Sequence, residues 1–141
     1  MNISHVGIYG IVLKESSILL IQKARGPFTG LWDLPGGKIE HGETLEQALS
    51  RELYEEGGVI IHQATLIDGS TNLVKFIDER GFISMHHIGL FYLITDYEIE
   101  QKERFDMQEV KALKWHAITE LHTQELTPFA THIMKKLKEN L

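Results

Sequence analysis

The stretch GKIEHGETLEQALSRELYEEGGV, residues 37–59, decides how this chain is read. A capping box, Thr44 with Gln47 three residues on, opens a helix that runs to Glu56 and stops at Gly57 and Gly58. Leu45, Ala48, Leu49 and Leu53 recur at three-and-four spacing and define its apolar face. At ~100° per residue, Glu52 falls in the middle of that stripe, Glu56 lies one turn further along it, and Glu55 stands roughly 60° to the side. A solvated acidic face belongs opposite the leucines, and these acids are not there. They also sit at the negative end of the helix dipole, where each is disfavoured by about 0.3–1 kcal/mol, and the pair four residues apart repels. Three local rules broken together mark a functional site, and a hard divalent cation held by carboxylate oxygens is the simplest compensation. Arg51 balances part of the charge but cannot chelate.

Outward from the helix, two runs before it read as strands, Val6–Leu13 and Ile18–Gln22, joined by the polar turn 14–17. Glycine and proline cluster once, between Gly26 and Gly42, inside the domain and not between domains. After the helix, Val59–Ile67, Leu73–Ile77, Phe82–Ile94 and Val110–Trp115 read as further strands. The chain ends in a helix with Thr127 as N-cap and Pro128 in the first turn, its apolar stripe made of Phe129, Ala130, Ile133, Met134, Leu137 and Leu141. Mixed strand order, with a helix after the third strand and an amphipathic one at the end, predicts an α+β fold, an α/β/α sandwich on a mixed central β-sheet.

The 141 residues suit a single domain, 1–141. With 43% hydrophobic and 24% charged residues and 3 prolines, the chain can offset its ordering entropy. The absence of cysteine removes disulfides, a thiolate nucleophile and sulfur-ligated zinc, and accords with a cytoplasmic setting. No apolar run approaches the ~20 residues of a membrane helix. The Val6–Leu13 run has no preceding Lys or Arg, so it reads as a strand and not a signal core. A formal charge of -6 repels polyanions globally, so nucleic acid is a disfavoured partner and a phosphate ligand needs local cations or a metal.

Residues 37–59 resemble an intact Nudix box, Gly-x5-Glu-x7-Arg-Glu-U-x-Glu-Glu-x-Gly-U with U aliphatic. All nine specified positions match, at Gly37, Glu43, Arg51, Glu52, Leu53, Glu55, Glu56, Gly58 and Val59. A chance match in a chain of this length is on the order of 10⁻⁷. The lead-in Leu31–Lys38 resembles that of MutT-like members. The resemblance implies a Mg²⁺-dependent hydrolase, with Mn²⁺ as a substitute, that splits a pyrophosphate bond in a nucleoside diphosphate linked to another group. A (deoxy)nucleoside triphosphate cleaved to the monophosphate is the expected substrate. By the family pattern Glu52, Glu55 and Glu56 handle metal and water, with the Gly36 carbonyl as a further ligand. Glu52 is the first candidate for the catalytic base and Glu55 the second, while Gly37, Glu43, Arg51 and Gly58 have structural roles.

Around the box, Lys23, Arg25 and Lys38 are candidate phosphate contacts, set against the reading of ordinary exposed cations. Glu109 resembles the late-loop acid that some members use as a metal ligand or base, with Glu100 and Glu103 as competitors. The adjacent His86 and His87 point to opposite faces of a strand and cannot chelate together, so packing is the better reading. Trp32 reads as a core plug before a base-stacking ring, and Lys135, Lys136 and Lys138 as a solvated helix face before a nucleic-acid patch. No proline stands about sixteen residues past the box, as ADP-ribose hydrolases tend to have, and Leu126, Thr127 and Pro128 replace the carboxamide that 8-oxo-dGTP enzymes often carry. Nucleotide-sugar or ADP-ribose hydrolysis, RNA 5′-pyrophosphate removal and non-catalytic nucleotide sensing remain the alternatives, and a homodimer stays open.

Overall fold

The computed structural model describes residues 1–101 and 108–140. Five strands come first: β1 (Asn2–Ile11), β2 (Leu13–Lys14), β3 (Ser17–Lys23), β4 (Trp32–Asp33) and β5 (Gly36–Lys38). They are followed by α1 (Leu45–Gly57), β6 (Val59–Asp78), β7 (Gly81–Ile99), β8 (Val110–Ala117) and α2 (Pro128–Glu139), with two 3-10 turns at Ile118–Glu120 and Thr123–Glu125. One sheet has the order β5-β1-β7-β6 and is mixed, because β1 runs parallel to β7 while β5 and β6 pair antiparallel. The other sheet is antiparallel, with β3 between β8 and β4 and β2 extending it.

Side-chain alternation divides the core into two halves. Ile8 of β1, Val12 just past its end, Leu19 of β3 and Tyr92 and Ile94 of β7 pack under Ala48, Leu49 and Leu53 of α1. The intervening Tyr9, Ile11, Ile18, Leu20 and Phe91 pack under Phe129, Ala130, Ile133 and Met134 of α2. The strands are therefore the middle layer of an α/β/α sandwich. The expected α+β class and mixed strand order are found, with that layer made of two sheets. Among the described residues no helix is long and apolar enough to cross a membrane.

Two differences from the expected elements have local causes. Val59–Ile67 and Leu73–Ile77 are one strand, because the Asp68–Gly69 interruption is absorbed by a bulge between Leu66 and Asp68 with Ile67 as the extra residue. The bulge aims Asp68 at α2, where its carboxylate lies 2.6 Å from His132 Nε2 and 3.1 Å from Lys136 Nζ. Lys138 Nζ lies 3.4 Å from the Leu121 carbonyl oxygen, so two of the three helix lysines have local partners. The short β2, β4 and β5 stand before α1 in addition to the two strands read from hydrophobicity; two or three residues carry no periodicity. Leu141 lies outside the described residues.

At its start α1 has both halves of the capping box, Thr44 Oγ1 accepting the Gln47 N–H and the Gln47 side chain accepting the Thr44 N–H. It ends on Gly58 in the left-handed region (φ 65°), whose N–H reaches the Leu53 and Tyr54 carbonyls. Thr44→Ala is expected to cost about 1 kcal/mol, read as a lower denaturant midpoint at unchanged slope.

Candidate active site

Two glycines let the loop before α1 close onto the helix acids. Gly36 has φ 148°, and a Cβ there would stand 2.1 Å from the Ile8 carbonyl oxygen, a backbone atom with no room to yield. With no side chain in the way, the Gly36 N–H donates to Glu56 Oε1 at 2.7 Å. Next to it, a Cβ on Gly37 would lie 2.9 Å from the carboxyl carbon and both oxygens of Glu52. Glu52 thus rests flush against the loop, and any other residue at 37 would displace it.

Arg51 is the hub of this corner. It forks onto Glu43 through Nε and Nη2, each at 2.8 Å, and Nη2 also reaches the Lys38 carbonyl at 3.0 Å. Its Nη1 donates to Glu52 Oε1 at 2.9 Å and to Glu55 Oε2 at 3.4 Å. The bidentate pair ties helix to loop in a planar geometry that a lysine could not reproduce. The acids descend in depth along the helix face: the Glu55 side chain is 48% exposed and that of Glu52 13%, while Glu56 is 4% exposed.

A cavity of about 480 Å³ opens beside them. Glu52, Glu55, Glu56, Arg51, Gly36, Gly37, Lys38, Lys23, Arg25 and Glu109 all line it, so most residues singled out from the sequence meet at one place. Glu43 and Gly58 lie outside its wall, on the supporting fork and the helix cap. Arg25 is engaged by Glu109 in an ion pair across the rim, and the Ala24 N–H donates to the Glu109 carbonyl at 3.0 Å. The Lys23 side chain, half-buried, has no ion-pair partner among the described residues. Glu100 is elsewhere, accepting the Tyr54 hydroxyl at 3.1 Å, and Glu103 lies outside the described residues. Trp32 packs against the α2-side core and meets His116 edge-on at 4.4 Å.

The cavity is also lined by His5, Tyr9, Phe28, Asp33 and Met85, to which motif and periodicity assign no site role, and by His87, which alternation reads as a packing residue. Asp33 is buried and accepts the Thr127 hydroxyl at 2.7 Å and the Leu34 N–H at 2.8 Å. The register of β1 on β7 was the missing signal for the two histidines, since it alone puts His5 beside His87.

Burial dominates the electrostatics. It pushes the Glu56 carboxyl well above the usual range against the Gly36 N–H bond, with the Glu52 and Asp33 charges adding to the rise. It raises Glu52 as well, opposed by Arg51 and reinforced by Glu55 and Glu109. The Arg51 hydrogen bond instead holds Glu43 down at about 2. Burial lowers His87 from 6.5 to about 4, with smaller contributions from His5 and Lys23. Between those two pH values the unfolded chain takes up a proton at His87 that the folded one refuses, so this group's contribution to stability falls as pH drops through that window. The loss of Tm from about pH 7 to about pH 5 should therefore be smaller in His87→Phe than in the wild type.

Glu52, Glu55, Glu56 and the Gly36 carbonyl offer hard oxygen donors on one wall, a set that suits Mg²⁺ or Mn²⁺. Among the described residues no three acidic or imidazole groups converge closely enough to enclose an ion. The reason is visible: Arg51 draws Glu52 and Glu55, and Glu56 is turned to the loop N–H.

A strand layer between two helices, with an acidic first helix closed by a glycine loop, is the architecture of a known class. The NUDIX domain profile matches residues 1–137, and the chain belongs to the NUDIX family. It is 49% identical over 106 residues to an ADP-ribose pyrophosphatase of Methanocaldococcus jannaschii, covering 75% of this chain and 59% of that protein. It is 37% identical over 101 residues to an 8-oxo-dGTP diphosphatase of Proteus vulgaris, covering 71% of this chain and 83% of that protein. Among solved structures, a MutT NUDIX hydrolase from Burkholderia pseudomallei superposes with a TM-score of 0.72 at 34% identity, covering 93% of this chain and 95% of the other.

Proposed function

We propose that this chain is a Mg²⁺-dependent pyrophosphohydrolase that cleaves a nucleoside diphosphate linked to another group, with a (deoxy)nucleoside triphosphate as substrate and the monophosphate and pyrophosphate as products. One observation carries the reading: the helix acids, the glycine loop and the Lys23 ammonium, which has no ion-pair partner among the described residues, open onto the same cavity. Glu52, Glu55, Glu56 and the Gly36 carbonyl would hold the cation, which when bound neutralises phosphate charge and sharpens the attacking water. Lys23 takes a phosphate oxygen, and Lys38 and Arg25 stand beside it. Glu52, or failing it Glu55, accepts the proton as the water oxygen attacks one phosphorus of the α–β anhydride; that P–O bond breaks and its electron pair leaves with the other half, nucleoside monophosphate or pyrophosphate. Glu109 on the opposite rim is the further candidate for metal or base. Arg51 and Glu43 keep the helix and loop in register, and Gly37 and Gly58 give Glu52 its berth and the helix its end.

A second reading, ADP-ribose hydrolysis, is favoured by the 49% identity to the archaeal protein of that name. RNA 5′ ends are disfavoured by the charge of -6, and sensing without turnover by the presence of all four box glutamates. The test is a panel of nucleoside triphosphates, 8-oxo-dGTP, ADP-ribose, nucleotide sugars and 5′-triphosphorylated RNA, run with Mg²⁺, Mn²⁺ and chelator. Turnover of a triphosphate or of ADP-ribose that disappears with chelator is expected. Equal rates in chelator would remove the metal from the reading, and tight nucleotide binding with no turnover at all would make the domain a sensor.

A further inference from the structure

The end of the cavity away from the acids is built by β1 and β7. Gly36 pairs with Tyr9, and His5 lies four residues further along β1, a distance of roughly 13 Å. His5 is the register partner of His87, and both line the cavity with Tyr9, Phe28 and Met85. A diphosphate held at the glycine loop leaves this stretch of wall for the group that the phosphate carries.

His87 is fixed there on three sides. Its Nε2 lies 2.8 Å from the Tyr9 hydroxyl, and its ring stands between those of His5 at 4.9 Å and Phe129 at 4.3 Å. Two paired glycines make this possible, Gly7 on β1 and Gly89 on β7. A Cβ on Gly7 would stand 2.4 Å from the Tyr9 hydroxyl, and one on Gly89 2.7 Å from the Phe129 ring. The rings therefore fold down over bare backbone and lock the imidazole between them. Its second nitrogen, Nδ1, has no hydrogen-bond partner among the described residues. The buried side-chain atom left without a partner among them is His116 Nε2, so Nδ1 of His87 is not sealed away. Burial pushes His87 down to about 4 and lowers His5 from 6.5, disfavouring the charged form of both rings. This end thus offers neutral ring surface and ring nitrogens, Nδ1 of His87 and those of His5, without hydrogen-bond partners among the described residues, chemistry that fits an uncharged planar heterocycle and not a further phosphate.

We propose, resting on the reading of the cavity as a nucleotide site, that His87 is a specificity-determining residue that meets the edge of the substrate's base through Nδ1 while His5 stacks against its face. The clamp of Tyr9, Phe129 and the paired glycines holds the imidazole in one orientation before substrate arrives, so the contact costs little ordering on binding.

Calorimetric titration of the full chain with AMP, with GMP and with inorganic pyrophosphate, in Mg²⁺ buffer, separates base recognition from phosphate recognition. His87→Phe keeps an aromatic ring and removes both nitrogens, Nδ1 and the Nε2 bonded to Tyr9; it should weaken at least one nucleoside monophosphate about tenfold and leave pyrophosphate within about twofold. His5→Ala, at a half-exposed position that leaves the core intact, should weaken the same monophosphate several-fold with pyrophosphate again unchanged. If both variants bind monophosphates as the wild type does, or lose pyrophosphate in the same proportion, the assignment is wrong while the phosphate site stands. If the wild type binds neither pyrophosphate nor monophosphate, the nucleotide reading and this inference fall together.

Discussion

Glu52→Gln and Glu56→Gln should each lower kcat by about 10²–10³, or about 2.7–4 kcal/mol of barrier, while the fold holds or gains stability. Activity is expected to fall because an amide cannot take the proton of an attacking water and is a poor partner for a hard divalent cation. Stability is expected to hold because a carboxylate pressed into the wall is costly: burial already pushes both carboxyls upward. The glutamine carbonyl can still accept the Gly36 N–H that Glu56 accepts now. Glu46→Gln, an exposed acid in the first turn of the same helix, is the control; it should leave the rate unchanged and cost at most about 0.3–1 kcal/mol of stability, the favourable helix-dipole contact it removes. Single-turnover rates and thermal melts on the three variants decide the matter. Loss of activity accompanied by an equal loss of folded protein in the glutamine variants would assign these acids to architecture and not chemistry.

The second large effect is expected at Gly36. An alanine methyl there must occupy space 2.1 Å from the Ile8 carbonyl oxygen and 2.7 Å from the Tyr9 Cα, on a residue already at φ 148°. Backbone strain and overpacking each cost about 1–3 kcal/mol, and here they act on one residue, so Gly36→Ala should lose several kcal/mol. Relief requires β5 to pull off β1, which also breaks the loop N–H bond to Glu56. Gly37→Ala meets only the end of the Glu52 side chain, which can swing aside. That neighbour should therefore keep most of its stability and lose activity. Equilibrium denaturation of the two alanine variants side by side tests the contrast; equal midpoints would mean that the strand junction relaxes more readily than its close contacts indicate.

What could be read before the fold was known follows the range of each interaction. The capping box, the glycine stop and the inward turn of Glu52 and Glu56 are local to one helix, so spacing alone exposes them. The terminal stripe of Phe129, Ala130, Ile133 and Met134 is legible for the same reason. The joining of Val59–Ile67 with Leu73–Ile77 depends on a bulge opposite β7, and single-strand periodicity breaks at a bulge. Alternation assigns His86 and His87 to opposite faces, and His86 is indeed exposed while His87 is buried. That His87 faces the cavity depends on β1 lying parallel beside β7, a pairing between residues some eighty positions apart that leaves no trace in either strand. The engagement of Arg25 with Glu109 is equally long-range.

Arg51 works as a built-in counterion for the helix acids. Because its guanidinium lies against Glu43, Glu52 and Glu55, one fixed cation offsets part of the charge of three carboxylates as soon as helix meets loop. The same tether draws Glu52 and Glu55 toward the helix surface, so any cation at this wall would have to compete with a guanidinium that never diffuses away.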